Sequence, residues 1–370
     1  MEGSLFSKLA PRLKTLEGEI FPLHVGDTWM EPAEGCRMQD LRVEEHPGMH
    51  RYASPHGLPL LLERVVDRHR ANTATDTTAE SVLITAGATG ALGAAVGATV
   101  DPGDEVLVLA PYWPLFAGIV QSFSGTPVAV PFIGVADSAE AAVEVLDAKH
   151  TARSAAIYLS TPNNPTGRVI PAPIVAAVVD WARRHDLWVL ADEVYEDYVY
   201  RGAHCYARTL APERTFSVHS FSKAYGMAGN RCGYVVGPAE HMRELRKVSV
   251  HSFYSTPTAS QIAAAKALDG RGAAWVAAAK PLYEQLGAEA ASLLGVSAPE
   301  GSQFLWLDVA ERLDERGLMG FLEDCLDDGV LVAPGPSFGP YPTHVRACFT
   351  AARPERTRRG VKLLARHLGR

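Results

Sequence analysis

The chain has 370 residues, of which 47% are apolar and 21% charged, and a formal net charge of −7. That length is too great for one small core and predicts two domains, and the composition is that of an ordinary soluble globular chain. A moderate negative charge spread along the sequence argues against a nucleic-acid surface, and no run of about twenty apolar residues is present to span a bilayer.

The opening stretch, Met1-Glu2-Gly3-Ser4-Leu5-Phe6-Ser7-Lys8, lacks the basic-then-apolar order of a signal peptide. Residues 1–40 carry too little pattern to fold alone and are expected to pack on the C-terminal part or on a partner chain. Segments 81–85, 105–109, 155–160, 188–191, 215–220 and 233–236 read as strands. Several are apolar throughout, which fits a sheet covered on both faces. Helical patterns at 88–100, 172–185 and 238–250 separate them, so the expected core is a mainly parallel α/β sheet with ligands at the strand ends. Beyond an Ala-rich helix at 270–294 come 303–309, a helix near 318–328, 330–333, 345–350 and a basic closing helix. These read as a smaller α+β domain. Five cysteines, Cys36, Cys205, Cys232, Cys325 and Cys348, are odd in number and lack metal-type spacing. They predict reduced thiols in a cytoplasmic protein and no metal site.

The most informative stretch is Ser220-Phe221-Ser222-Lys223-Ala224-Tyr225-Gly226-Met227-Ala228-Gly229-Asn230-Arg231, just after the strand at 215–220. A lysine amine condenses with an aldehyde, and enzymes that use pyridoxal phosphate rest in that state. The flanking hydroxyls and Arg231 suit the phosphate that tethers such an aldehyde. A solvated lysine is the plain alternative. Four other stretches have the same two-sided character. Thr85-Ala86-Gly87-Ala88-Thr89-Gly90-Ala91-Leu92-Gly93 ends a strand and opens a helix, a ready phosphate site. Its G-x-x-G-x-x-G spacing is an imperfect dinucleotide fingerprint. Trp113, in Pro111-Tyr112-Trp113-Pro114, is either a core aromatic or a ring stacked on a flat cofactor. Thr161-Pro162-Asn163-Asn164-Pro165-Thr166-Gly167 is a turn by composition, or a loop offering the Asn164 amide to a ring oxygen. Asp192, in Ala191-Asp192-Glu193-Val194-Tyr195, is a helix cap or the partner of a pyridine nitrogen. Tyr195 then shares the ring oxygen with Asn164. Finally, Val345, Ala347 and Phe349 alternate with His344, Arg346 and Cys348, so Arg346 points away from the apolar face. It is an exposed strand arginine or a fork for a carboxylate.

Taken together, these stretches resemble the aspartate aminotransferase family of pyridoxal phosphate enzymes, the fold type I, class I/II aminotransferases, in order from about Gly26 to Arg346. The resemblance implies a large domain with a seven-stranded, mainly parallel sheet over 41–283 and a small α+β domain over 284–370. It implies that Lys223 forms the internal aldimine and shuttles the proton, that Asp192 pairs with the pyridine nitrogen, and that Asn164 and Tyr195 bind the ring oxygen. Trp113 stacks on the ring, and Ala88, Thr89, Ser220, Ser222 and Arg231 hold the phosphate. Arg346 takes the substrate α-carboxylate, and Gly26 leaves room beside the substrate. Tyr52, in Arg51-Tyr52-Ala53-Ser54-Pro55-His56-Gly57, stands where the family has a tyrosine that reaches the neighbouring subunit's phosphate, which implies a homodimer. The implied reaction passes an amino group from an amino acid to a 2-oxo acid by a ping-pong cycle, without nucleic acid or membrane as partners.

The segment Gly26-Asp27-Thr28-Trp29-Met30-Glu31-Pro32 departs from the Gly-x-Pro of many relatives. Its Trp29 and Asp27 favour an aromatic or a basic substrate. Arg64, Arg153 and Arg201 are the candidates for a distal arginine that marks a dicarboxylate, without motif support. Elimination or cyclisation on the same cofactor shares every residue named, since the first proton abstraction is common. A non-enzymatic regulator of this fold carries an added DNA-binding domain, for which no pattern is read here.

Overall fold

A computed structural model describes residues 9, 11–13 and 15–370. The opening stretch 1–8, read above for leader character, lies outside the described residues. Strands β1 (Val82–Thr85), β2 (Glu105–Ala110), β3 (Thr126–Pro131), β4 (Ser154–Ser160), β5 (Trp188–Asp192), β6 (Thr215–Ser220) and β7 (Gly233–Val236) form one sheet in the order β1-β7-β6-β5-β4-β2-β3. Only β7 runs against its neighbours, β1 and β6; the other pairs are parallel. The C-terminal ends of β1, β2, β4, β5 and β6 therefore share one edge of the sheet.

Alternation explains why these strands are apolar throughout. In β2, Leu107 and Leu109 face a core that includes α4 (Ala139–Asp147) and α5 (Ala172–Arg184). Val106 and Val108 face the opposite core, with α2 (Gly87–Thr99), α3 (Pro114–Ser122) and α6 (Met242–Ser252). Each strand residue thus has a helix layer to bury against, whichever way its side chain points. Helix α1 (Pro59–Thr73) and α7 (Thr258–Lys266) close a further cluster around β1 and β7.

Two expectations shift. Thr126–Pro131, which is not among the expected strands, forms β3, with Pro127 and Pro131 interrupting its pattern. β3 is the edge strand, where a missing N–H leaves no ladder bond unmade on the solvent side. The segment 330–333 gives β9 only at Ala333–Pro334, while Val330, Leu331 and Val332 fill the C-terminal core.

That core lies under an antiparallel sheet, β8 (Phe304–Asp308), β10 (His344–Cys348) and β9, with β10 in the middle. Helices α8 (Gly272–Leu294), α9 (Gly317–Asp327) and α10 (Pro354–His367) cover it. Leu9, Phe21 and Leu23 join the same core, and Phe21 pairs with Val330 in a parallel bridge. Residue 283 lies inside α8, which runs unbroken to Leu294.

The loop after β4 ties the two sheets together. The N–H groups of Glu300 and Gly301 donate to the Gly167 carbonyl at 2.8 and 2.9 Å. Gly167 has φ +71, and a Cβ there would stand 2.5 Å from the Phe304 carbonyl. Both the backbone and the space demand glycine. Gly167→Ala is expected to lower the unfolding free energy by about 2 kcal/mol or more in denaturant titration. Gly93→Ala, with open space around its helical position, is expected to be neutral or to gain up to about 1 kcal/mol.

Candidate active site

The shared strand edge holds a cavity with about 690 Å³ of empty space, part of it open solvent. Its floor is set by β5. Asp192 is the last residue of that strand and is buried. Its Oδ2 accepts a hydrogen bond from the Tyr158 hydroxyl at 2.7 Å, while Oδ1 is buried with no partner among the described residues. Burial raises the carboxyl to about 6, against the pull of the Tyr158 bond. The helix-cap alternative does not describe this group: it lies in a strand with one oxygen unpaired.

Lys223 enters from a single helical turn, Phe221–Ala224, directly after β6. Ser220 opens that turn, its Oγ accepting from the Ser222 N–H at 3.1 Å. The half-buried lysine lines the cavity, and its ammonium donates to the Gly26 carbonyl. Burial lowers its pKa, partly offset by the charge of Asp27. A Cβ on Gly26 would fall 2.9 Å from the Phe304 ring and 4.0 Å from the lysine nitrogen.

At one end of the cavity, Ala88 and Thr89 sit in the first turn of α2, beside Ser220, Ser222 and Arg231. Arg231 is exposed, has φ 52, and donates to the Ala228 carbonyl at 3.0 Å. A Cβ on Gly87 would come 2.7 Å from its guanidinium, so glycine lets this cation approach the helix start. The exposed Arg231 guanidinium beside two buried serine hydroxyls and a helix N-terminus is an arrangement that suits an anion. Trp113 caps α3 and forms another wall. Asn164 and Tyr195 complete it, both buried, with Tyr195 edge-on to Phe304 at 5.7 Å.

Three expected residues stand outside that lining. Gly26 reaches it through its carbonyl. Arg346 is buried, not exposed on its strand: the face opposite Val345 and Ala347 is covered too. Its guanidinium lies over Phe304 at 4.2 Å and Phe338 at 4.9 Å. It donates to Asn164 Oδ1 at 2.9 Å and to the His24 carbonyl at 2.6 Å, leaving Nε unpaired. Burial, then Arg346, lowers the His24 imidazole to about 4, so no second cation forms beside the guanidinium at neutral pH. Tyr52 is 87% exposed, edge-on to Tyr254, and away from the cavity of its own chain.

The comparisons with known proteins decide the family. Residues 22–363 match the family of class I and II aminotransferases. The chain is 35% identical over 312 residues to a probable aspartate/prephenate aminotransferase of Thermus aquaticus, covering 82% of this chain and 80% of that protein. The chain belongs to the class I and II aminotransferases. An arginine–pyruvate transaminase of Pseudomonas aeruginosa is 31% identical, over 78% of this chain and 75% of its own. The aspartate aminotransferase of Thermus thermophilus with maleate superposes with a TM-score of 0.88 at 30% identity, covering 99% and 97% of the two chains. The enzyme is thus a pyridoxal 5′-phosphate-dependent aminotransferase of fold type I.

The residues present fit that cofactor. The unpaired, buried Asp192 Oδ1 suits a ring N–H, the depressed Lys223 amine suits a carbonyl, and the cluster at the start of α2 suits a phosphate. Sequence reasoning missed Tyr158, Phe304 and Phe338. Tyr158 and Phe304 lie in apolar strands that read as plain core, and Phe338 lies in a loop punctuated by Pro334-Gly335-Pro336 and Gly339-Pro340. Arg64 instead bonds the Ala265 carbonyl, Arg153 pairs with Glu105, and Arg201 is exposed away from the lining. Trp29 packs edge-on against Tyr283 at 5.5 Å, outside the lining.

A pH prediction follows from Asp192. In the cofactor-free protein its carboxyl lies near 6 rather than the ordinary 3.8. The folded state then holds this proton more tightly than the unfolded chain. The contribution to stability is full below about pH 4 and is lost as the pH rises through about 6. Relative to wild type, Asp192→Asn should gain about 3 kcal/mol of unfolding free energy between about pH 4 and about pH 7. A constant difference across that range in denaturant titrations would contradict the assignment.

Proposed function

We propose that this aminotransferase moves an amino group from an amino acid to a 2-oxo acid by a ping-pong cycle in which Lys223 both anchors the cofactor and carries the substrate proton. The observation that carries this reading is the Lys223 amine, lowered by burial, in the same cavity as a buried carboxylate with one free oxygen. Bound pyridoxal phosphate supplies a carbonyl that condenses with amines and a protonated ring that draws electrons from the substrate Cα. The chain's own groups do the rest.

Asp192 Oδ1 holds a proton at the ring nitrogen. Asn164 has its Oδ1 committed to Arg346, which leaves its NH₂ to donate to the ring oxygen beside the Tyr195 hydroxyl. Ala88 and Thr89 with the start of α2, the hydroxyls of Ser220 and Ser222, and Arg231 take the phosphate. Trp113, in the cavity wall, would stack on the cofactor ring and keep water off it. Arg346 is held by Asn164, His24 and two rings, so its fork is in place before a substrate carboxylate arrives. That carboxylate and the space at Gly26 orient the Cα–H bond toward Lys223. The Lys223 amine, its pKa lowered by burial, would take the proton at Cα and return it to the cofactor carbon that bore the aldehyde. The same anchor then serves the incoming 2-oxo acid.

A homodimer completes the site in this reading. Tyr52 is exposed and directed away from its own cavity, which supports its reaching the partner's phosphate site. The five free thiols support a reducing, cytoplasmic setting. Residues 41–283 are read as the cofactor domain and 284–370 as the small domain, with helix α8 crossing that boundary and the N-terminal segment packing on the small domain through Phe21 and Leu23 and on the large one through Cys36. No helix among the described residues is long and apolar enough to cross a membrane.

Two variants test the roles. Lys223→Ala is expected to lower turnover of every amino donor by at least about 10³-fold, while wild type without an acceptor 2-oxo acid stops after a single equivalent of 2-oxo acid per site and turns over only when the acceptor is supplied. Ammonia released in the absence of acceptor would instead mark a lyase. Arg346→Lys is expected to raise KM for the donor by about tenfold or more, because an ammonium cannot grip the carboxylate in two places. An unchanged KM would remove Arg346 from the site.

A further inference from the structure

Tyr158 is a tyrosine where packing alone calls for phenylalanine. It lies in the middle of β4 with no exposed surface, in the core that contains α2 and α3. Its ring stacks on Phe116, centroids 3.8 Å apart and planes 17° apart. A hydroxyl buried in an apolar layer is costly unless it is paired. This one donates to Asp192 Oδ2 at 2.7 Å, with the Ser160 side chain acting on it from the end of the same strand.

The consequence falls on the other oxygen. An aspartate carboxyl turns about a broad, twofold torsion, so nothing in the strand itself chooses which oxygen faces the cavity. One short bond from a locked aromatic commits Oδ2 and fixes the carboxyl plane. Oδ1 is then left as the carboxyl's free acceptor, buried at the cavity floor with no partner among the described residues. We propose that Tyr158 is a positioning residue which clamps Oδ2 of Asp192, presents Oδ1 to the cofactor ring nitrogen, and keeps the shared proton on that nitrogen rather than on the carboxyl. The inference rests on the reading of Asp192 as the nitrogen's partner.

Electrostatics agree with the geometry. Burial pushes Asp192 toward the neutral acid, and the Tyr158 bond is the foremost influence opposing it, followed by the Val194 N–H. Glu193, next in the chain, adds to the burial effect, while His219 on β6 opposes it. His219 is already engaged with Glu196 at 3.0 Å and makes no hydrogen bond to Asp192. Without the hydroxyl, the carboxyl becomes the better base of the pair, and the proton moves toward it.

The test uses holoenzyme carrying cofactor labelled with ¹⁵N in the ring, as wild type, Tyr158→Phe and Asp192→Asn. Phenylalanine keeps the stack on Phe116 and deletes only the hydroxyl. Tyr158→Phe is expected to move the ring ¹⁵N resonance from the protonated toward the unprotonated position and to weaken cofactor binding by about tenfold, the scale of one hydrogen bond to a charged group. A resonance that stays at the wild-type position in Tyr158→Phe, while Asp192→Asn moves it, would overturn the role of Tyr158 and leave that of Asp192 standing. A resonance unmoved by Asp192→Asn would overturn both. Should Tyr158→Phe not fold, wild type alone decides through its buried hydroxyl proton. An exchange-protected downfield signal that vanishes in Asp192→Asn supports the clamp, and its absence from wild type contradicts it.

Discussion

A carboxylate with one unpaired oxygen, buried at the end of the central strand β5, is the constraint around which this molecule is arranged. In an apolar interior such a group is strongly disfavoured, and side chains in that position normally find a full set of partners or are replaced. Asp192 has a tyrosine on Oδ2 and, among the described residues, no hydrogen-bond partner on Oδ1. The fold tolerates this because β5 lies between β4 and β6, anchored by hydrogen bonds on both edges and by a helix layer on both faces. A cation placed against Oδ1 turns the cost into an attraction, and a protonated pyridine ring is such a cation.

The second organising feature is that the small antiparallel sheet and the N-terminal segment reach the cavity through few contacts. Gly26 offers its carbonyl to Lys223, His24 offers its own to Arg346, and Arg346 in turn holds Asn164. These links join the anchor, the carboxylate fork and the ring-oxygen loop across the two sheets. In the proposed roles, a substrate carboxylate arriving at Arg346 would meet the same hydrogen-bond chain that ends at Asn164 and His24, which would give binding a direct mechanical route to the reacting atoms.

Much of this was legible in the sequence, for reasons that are physical. Strands buried on two faces have no polar side to hide, so β2, β4, β5 and β6 stand out as apolar runs. Chemistry-bearing residues cluster where such runs end, which is where Asn164, Asp192 and Lys223 appear. The misses have causes as definite. β3 carries two prolines that only an edge position allows. Arg346 obeys a period-of-two pattern, but the pattern says only that it faces away from Val345; it cannot say that Phe304 and Phe338 cover that face as well. Tyr158 is invisible in an apolar strand, because a hydroxyl's partner is a matter of register between β4 and β5. Tyr52 could be singled out only through resemblance, since its own chain gives it nothing to do at the cavity.

The account stands on Lys223 being the amine that meets the cofactor. The most direct measurement is borohydride reduction of the holoenzyme, followed by proteolysis and mass spectrometry to locate the phosphopyridoxyl group. The account predicts the group on the peptide containing Ser222-Lys223-Ala224 and on no other. Attachment to a different lysine, or none to Lys223, would contradict it.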